Sequence, residues 1–419
     1  MRKWYRLDNA GKIFPSVSNA RRANLFRLTI TLTEEINPVV LQEALNITIK
    51  RFATFNVKLK RGFFWYYLEE NKENPVIEAE NPFIMEPIFS REAKGFLFRV
   101  SYYHKRIALE IFHALSDGYG GMQFLKSITY NYLLLLGKDI DSENMILSDI
   151  ESVREEDQDS FVKNYDSTIK MDRKEQKARH FKGTFYENNW LSLISGKVKE
   201  AELKEVCNQY DCSHTQLLVA CLVASTYRSQ NLLEQKKHLF QVFVPVNLRR
   251  FFPSITLRNF SLYVRTKFNI DKEISFPEIV AKVKEDFSEE LQKDKLQARI
   301  VANVKWEKHF LMRIIPLFMK KIGFKIGYNI FGESANSFSL SNLGKVDIPS
   351  SMKKYITAID FSNGAGYVSP MNMGVVGYNG DITMTFASRI IERDLQREFF
   401  RILAGLGLKV TIETNELEV

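Results

Sequence analysis

Several things are scarce in this sequence, and each scarcity excludes something. Cysteine occurs only three times, at Cys207, Cys212 and Cys221, all within one stretch that reads mainly as helix. These residues make neither a metal-binding spacing nor a disulfide framework, which suits a reducing compartment. Twenty Gly and 11 Pro in 419 residues are too few for a collagen-like or low-complexity chain. No run of about 18 apolar residues occurs, so no transmembrane segment is expected. The opening MRKWYRLDNAGKIF has no apolar core of the signal-peptide kind, and the protein is read as cytoplasmic. His104, His180, His214, His238 and His309 offer no second ligand at metal spacing, so no metal is expected.

What remains is a globular composition, 45% hydrophobic and 26% charged, with 32 Phe and 17 Tyr to fill interfaces or line pockets. The length allows two or three domains. The net charge of +9 favours polyanionic partners such as acidic lipid, phosphorylated cofactors or an acidic carrier protein. Lys and Arg are scattered and no nucleic-acid-binding signature occurs, so nucleic acid is not an expected partner. The most apolar stretch, His309–Phe331, is interrupted by Arg313, Pro316, Lys320, Lys321 and Lys325. It reads as an amphipathic wall of the protein rather than as a membrane-surface element.

Along the chain, Asn24–Thr33 alternates Phe26, Leu28, Ile30 and Leu32 with polar residues, the pattern of a half-buried strand. Asn37-Pro38 then offers an N-cap and a proline at the first helical position. Further strands are expected at Phe63–Glu69, Phe98–Tyr103 and Ile107–Phe112, then a helix from about Tyr119 to Leu136. Gly137 to about Gly183 is dense in Asp, Glu, Lys and Arg, and reads as a solvated connection between two halves. In the second half, helices are expected at Val198–Tyr210, His214–Arg228 and Phe276–Leu291. Strands are expected at His238–Val246, Asn259–Phe268, Ser337–Leu343 and Asp381–Ser388. Strands and helices interspersed in both halves argue for two α/β layers of similar plan.

The most informative stretch is Ile107–Gly121, IALEIFHALSDGYGG. A strand ends at His113, and Asp117 and Gly118 follow four and five residues on, at a helix start. A histidine held on a strand end beside a cleft meets the conditions for a general base. The same pattern also describes a turn histidine followed by an N-capping Asp.

The string FHALSDG resembles the HHxxxDG motif of the CoA-dependent acyltransferase superfamily. That superfamily takes in chloramphenicol acetyltransferases, BAHD and carnitine acyltransferases and condensation domains. VPVNLRRFFPSITLRNF (Val244–Phe260) resembles the segment that places an arginine ahead of an Asn-bearing strand in BAHD and condensation proteins. SLSNLGKVDIP (Ser339–Pro349) resembles the late strand with a Ser/Thr-Asn pair. The overall look, with its LDNAGKIFP opening, is that of the alcohol acetyltransferase branch. One departure is that Phe112 stands where the motif has its first histidine.

The resemblance implies an α/β fold of two chloramphenicol-acetyltransferase-like subdomains, each a mixed sheet covered by helices, with a substrate tunnel between them. Residues 1–165 would carry the HxxxDG motif and residues 166–419 would form the second subdomain. His113 would be the general base. Asp117 would point away from it and pair with an arginine of the second half, best matched by Arg249, with Arg250 and Arg258 as alternatives. Gly118 fits a turn that needs backbone freedom or close approach of a substrate. Of the alternating hydroxyls Ser337, Ser339 and Ser341, Ser341 with Asn342 beside it is the expected oxyanion donor, an interaction of about 3 kcal/mol. Acyl-CoA would be the donor substrate, with no permanently bound cofactor, and a small alcohol or amine the acceptor. Two alternatives stand beside this: an acyl donor bound to a carrier protein, and a silent member that binds an acyl ligand or partner. The aromatic run Phe63–Tyr67 reads as core, or as tunnel wall.

Overall fold

The structure, a computed structural model, describes residues 3–19, 21–88, 94–168, 176–233, 239–328 and 333–416. The first half runs β1 (Trp4–Arg6), the single-turn helix α1 (Phe14–Val17), β2 (Leu25–Leu32) and α2 (Pro38–Arg51). The Asn37 side chain caps α2, accepting hydrogen bonds from the N–H groups of Val39 and Val40, and Pro38 opens the helix. A hairpin of β3 (Val57–Arg61) and β4 (Tyr66–Glu70) follows, then β5 (Ile77–Ala79), β6 (Phe98–Tyr103), β7 (Arg106–Phe112) and α3 (Gly118–Leu135). Phe63 and Phe64 were expected in a strand, but they form the hairpin tip and are exposed.

The connection carries a helical turn, α4 (Ser160–Lys163), and the second half then runs β8 (Ser192–Lys199), α5 (Glu200–Gln209) and α6 (His214–Arg228). The helix expected from Val198 starts at Glu200, because Val198 is paired with Ile382 in a sheet. Next come β9 (Leu239–Asn247), β10 (Ser261–Asn269), α7 (Phe276–Glu290), α8 (Lys293–Lys308), α9 (Phe310–Ile314) and α10 (Leu317–Gly327). His238, the expected start of β9, and residues 329–331 of the apolar stretch lie outside the described residues. The chain closes with β11 (Phe338–Lys345), β12 (Ile356–Asn363), β13 (Met371–Tyr378), β14 (Asp381–Ser388), α11 (Asp394–Gly405) and β15 (Thr411–Thr414).

Two large sheets organise these elements. One has the order β12-β2-β7-β6-β5, the other β10-β9-β11-β13-β14-β8-β15, and both mix parallel and antiparallel neighbours. Each sheet has its own apolar core, the first packed with α2 and α3, the second with α5, α6, α7 and α11. Strand β12 ties the halves together: it belongs to the late part of the chain but pairs antiparallel with β2. At this seam a Cβ on Gly374 of β13 would lie 2.4 Å from the Phe361 carbonyl of β12. Only glycine allows that approach of two backbones.

The charged connection is less solvated than its composition suggests. Arg51 grips Glu156 through two hydrogen bonds of 2.7 and 2.8 Å, and Arg258 Nε donates to Asp157 at 2.7 Å. Phe161 is buried against Phe260 in a third, smaller core. Residues 169–175 of this connection lie outside the described residues.

Candidate active site

A cavity of about 2050 Å³ lies between the two sheets, with walls from both halves: Phe26 and Met122 on one side, Val244 and Ser339 on the other. Strand pairing shows how it opens. Strands β9 and β11 run parallel and pair at Phe338–Val242 and Ser339–Phe243. Ser339 and Phe243 reach the cavity, and its wall continues past them through Ser341 and Asn342 on one strand and Val244 to Asn247 on the other.

His113 follows immediately on the last residue of β7 and lines this cavity. Its backbone N–H donates to the Asn24 carbonyl at 3.0 Å, so the turn is pinned to the start of β2. The imidazole sits against Phe14, stacked at 5.0 Å, and against Phe26, tilted at 5.0 Å. Phe112, at the first motif position, is fully buried and its ring belongs to the core.

The ring's orientation is set by Asn259. The Asn259 Nδ2 donates to the His113 carbonyl at 2.9 Å and to the Asp8 carboxylate at 3.0 Å. With both amide hydrogens committed, the Asn259 Oδ1 faces the His113 Nδ1 at 3.4 Å. An oxygen there selects the tautomer with hydrogen on Nδ1 and leaves Nε2 as the ring's basic nitrogen. Burial pushes the His113 pKa down from its ordinary value, while Asn259 and then the charge of Asp117 oppose this. Burial therefore favours the neutral ring. Asp8 in turn accepts from the Gly11 N–H at 2.7 Å, and burial raises its carboxyl above the usual range.

Asp117 caps α3, accepting from the Gly120 N–H at 3.2 Å. Its carboxylate also takes two hydrogen bonds from Arg249, at 2.7 and 3.3 Å, and one from the Phe260 N–H at 2.9 Å. Arg249 donates further to the carbonyls of Thr256 and Arg258, and its guanidinium lies 4.5 Å from the Tyr119 ring centre. Each partner's side chain is 7% exposed. A bidentate, desolvated pair of this kind fixes one backbone segment against another. Of the alternatives considered, Arg258 pairs with Asp157 and Arg250 lines the cavity.

Gly118 has no left-handed backbone conformation, so backbone freedom does not explain it. A Cβ there would meet the Leu343 side chain at 2.4 Å, the tip of a residue from β11 across the cavity. Gly120 is more constrained, because its Cβ would lie 2.3 Å from the Leu257 carbonyl.

The alternating serines separate. The Ser337 hydroxyl is buried and accepts from the Gln241 N–H at 3.0 Å, whereas Ser339 and Ser341 line the cavity. Asn342 ties its strand end to α6, donating to Thr215 Oγ1 at 2.9 Å and accepting from the Gly344 N–H at 2.8 Å.

Sequence reasoning did not single out Asp8, Phe14 or Asn259, although the LDNAGKIF opening and the LRNF string contain them. Nor did it place Lys126, Arg250 or Lys345 on the cavity wall, Arg250 having been considered only as a partner for Asp117. Lys126 donates to the Asp347 carbonyl at 3.0 Å, and Lys345 lies 3.8 Å from the Asp347 carboxylate. Among the described residues no group of His, Cys, Asp and Glu is arranged to hold a metal ion, and no helix is long and apolar enough to cross a membrane.

A family profile described as alcohol acetyltransferase matches residues 159–404, more than half of the chain. No curated protein sequence matches it. Solved structures do resemble it over nearly full length. The F. sporotrichioides protein TRI101, complexed with coenzyme A and T-2, is 12% identical with a TM-score of 0.63, covering 99% of this chain and 100% of that one. TRI3 trichothecene 15-O-acetyltransferase from Fusarium sporotrichioides is 11% identical with a TM-score of 0.61, covering 97% and 94%. The epimerization domain from the third module of tyrocidine synthetase B is 10% identical with a TM-score of 0.58, covering 97% and 96%. These likenesses establish the fold, the two-subdomain plan that such acetyltransferases share with condensation-type domains.

Proposed function

Because this chain belongs to the alcohol acetyltransferase family, we propose that it transfers an acyl group from an acyl-CoA thioester to a small alcohol or amine, with His113 as general base. The acyl group is acetyl, or of short to medium length. The observation that carries this reading is the His113 ring: it lines a cavity between the halves, and Asn259 holds its Nδ1 side.

In this reading Nε2 takes the proton from the acceptor's O–H or N–H as that oxygen or nitrogen attacks the thioester carbonyl. Such proton transfer contributes about 10²–10⁴-fold. Alignment of two substrates in one cavity contributes much of the rest. The tetrahedral oxyanion is placed to receive the Ser341 hydroxyl, with Asn342 shaping the strand end rather than touching substrate. Collapse breaks the C–S bond, and the departing CoA thiolate regains the proton from the imidazolium. Asp117 and Arg249 act structurally, holding the His113 turn to the second subdomain. We read residues 1–165 and 166–419 as the two subdomains, with β12 lent by the second to the first sheet.

The donor reading is supported by the basic wall of Lys126, Arg250 and Lys345 and by the N-terminus of α6, where Ser213 and Thr215 reach the cavity. Positive groups beside a helix N-terminus suit the phosphates of CoA. They suit a phosphopantetheinyl carrier as well.

The test incubates purified protein with acetyl-CoA and a panel of alcohols and amines, measuring free thiol. Acceptor-dependent release supports the reading. Release only from an acylated carrier protein replaces the donor, and tight acyl binding without turnover with any acceptor overturns the reaction.

A further inference from the structure

Helix α10 presents its faces in an unusual way. Leu317 and Lys320 are buried on the inner side, while Phe318, Ile322 and Ile326, spaced four residues apart and therefore on one face, point outward. Ile322 is 62% exposed, and Phe310 on α9 is 70% exposed. A soluble surface helix ordinarily has the opposite arrangement, with the lysine outside and the apolar stripe inside.

A second exposed apolar element is fastened beside it. The Leu317 N–H donates to the Phe63 carbonyl at 2.8 Å, and Lys320 Nζ donates to the Phe64 carbonyl at 2.9 Å. The same ammonium stacks over the Trp65 ring at 3.7 Å. Phe63, at the tip of the β3–β4 hairpin, is 71% exposed. Two separate parts of the chain thus bring bulky apolar side chains to one surface, well beyond the scattered exposure normal for a monomer.

Along α9 and α10 the charges have one sign. From Lys308 to Tyr328 the sequence contains Lys308, Arg313, Lys320, Lys321 and Lys325 and no Asp or Glu, and the hairpin tip adds Lys60 and Arg61. The acidic residue just before this stretch, Glu307, is turned inward to Asn9 and Lys12, and Glu69 of β4 lies between Lys58 and Lys60, 3.8 and 4.0 Å from their ammonium groups. The stretch also lacks Ser, Thr, Asn and Gln, the residues that form the hydrogen-bonding rim of a protein–protein interface. A second copy of this chain would set the same cations against one another. Apolar side chains for the acyl boundary and Lys or Arg for anionic headgroups are what an interfacial surface requires.

We propose that α9, α10 and the β3–β4 tip form a docking surface for a lipid bilayer carrying anionic headgroups. The inner side of α10 lines the cavity through Lys320, Gly323 and Phe324, so the bilayer would lie one helix thickness, about 10 Å, from it. Apolar molecules dissolved in the bilayer would then reach the cavity without crossing water. Binding itself does not depend on the reaction proposed above.

The experiment mixes the full chain with vesicles of phosphatidylcholine alone, or of equal parts phosphatidylcholine and phosphatidylglycerol, and measures co-flotation. The expected result is binding to the anionic vesicles that weakens as salt is raised. Binding falls about fivefold for each of Arg313→Gln and Lys325→Gln, and is lost in Phe318→Glu/Ile322→Glu. These positions are exposed, so the variants should melt like the parent. Absence of binding to anionic vesicles overturns the proposal, as does binding unchanged in the Phe318→Glu/Ile322→Glu variant. A concentration-dependent dimer abolished by that variant, with vesicles unbound, overturns it too and assigns the face to a second copy.

Discussion

Asn259 holds His113 from two sides: its Nδ2 donates to the His113 carbonyl at 2.9 Å, and its Oδ1 faces the ring Nδ1 at 3.4 Å. One side chain thereby fixes both the backbone turn and the tautomer of the proposed base. Asn259 is a positioning residue in this account.

Asn259→Ala is expected to lower kcat on the order of 10²-fold, the effect of misplacing a reacting group. The pH profile separates this from simple loss of folding. Burial lowers the His113 pKa, so the parent's activity should persist to a pH below the ordinary histidine value of 6.5 before falling. Asn259 opposes that lowering, so its removal should move the acid limb to still lower pH. A variant with the parent's profile would contradict the assignment.

The Asp117–Arg249 pair is predicted to act on stability first. Arg249→Ala leaves a buried carboxylate without its cation, a loss of about 3–5 kcal/mol in comparable pairs. Asp117→Asn retains the N-cap but loses the charge, and should be milder. Thermal melts read both. Melting like the parent with only turnover lost would place the pair in the chemistry instead.

Gly118 and Gly120 should tolerate alanine very differently. At Gly120 the new methyl would meet the Leu257 carbonyl, which is backbone and cannot turn aside. A destabilisation of about 1–3 kcal/mol or more is expected. At Gly118 it meets only the Leu343 side-chain tip, which can rotate. Equal melting temperatures for the two variants would contradict this reading.

Asp159 supplies a pH dependence of stability. Burial, and then the neighbouring Asp8, push its carboxyl up to about 7, against the opposing pull of Lys12. The folded state thus binds a proton that the unfolded state has lost above about 4. Stability contributed by this group is therefore present at low pH and lost as pH rises towards about 7. Asp159→Asn should flatten that slope in denaturant titrations at several pH values. An unchanged slope would show that Asp159 does not titrate there.

Short-range features of this fold are legible in its sequence. The alternation of Ile107, Leu109 and Ile111 becomes β7, and the Asp117-Gly118 pair becomes the cap and first turn of α3. Long-range features are not. Asp8 and Asn259 are 251 positions apart, and neither segment has a periodicity that announces the other. The pairing of β12 with β2 is hidden for the same reason, because alternation reveals a strand and not its neighbour. The aromatic tip at Phe63 and Phe64 misleads because composition alone does not distinguish a core strand from a turn.

The most direct test compares acceptor-dependent thiol release from acetyl-CoA by the parent and by His113→Ala, at matched melting temperature. A fall of about 10²–10⁴-fold is predicted. Turnover by His113→Ala equal to the parent's would contradict the proposed base, whatever the acceptor proves to be.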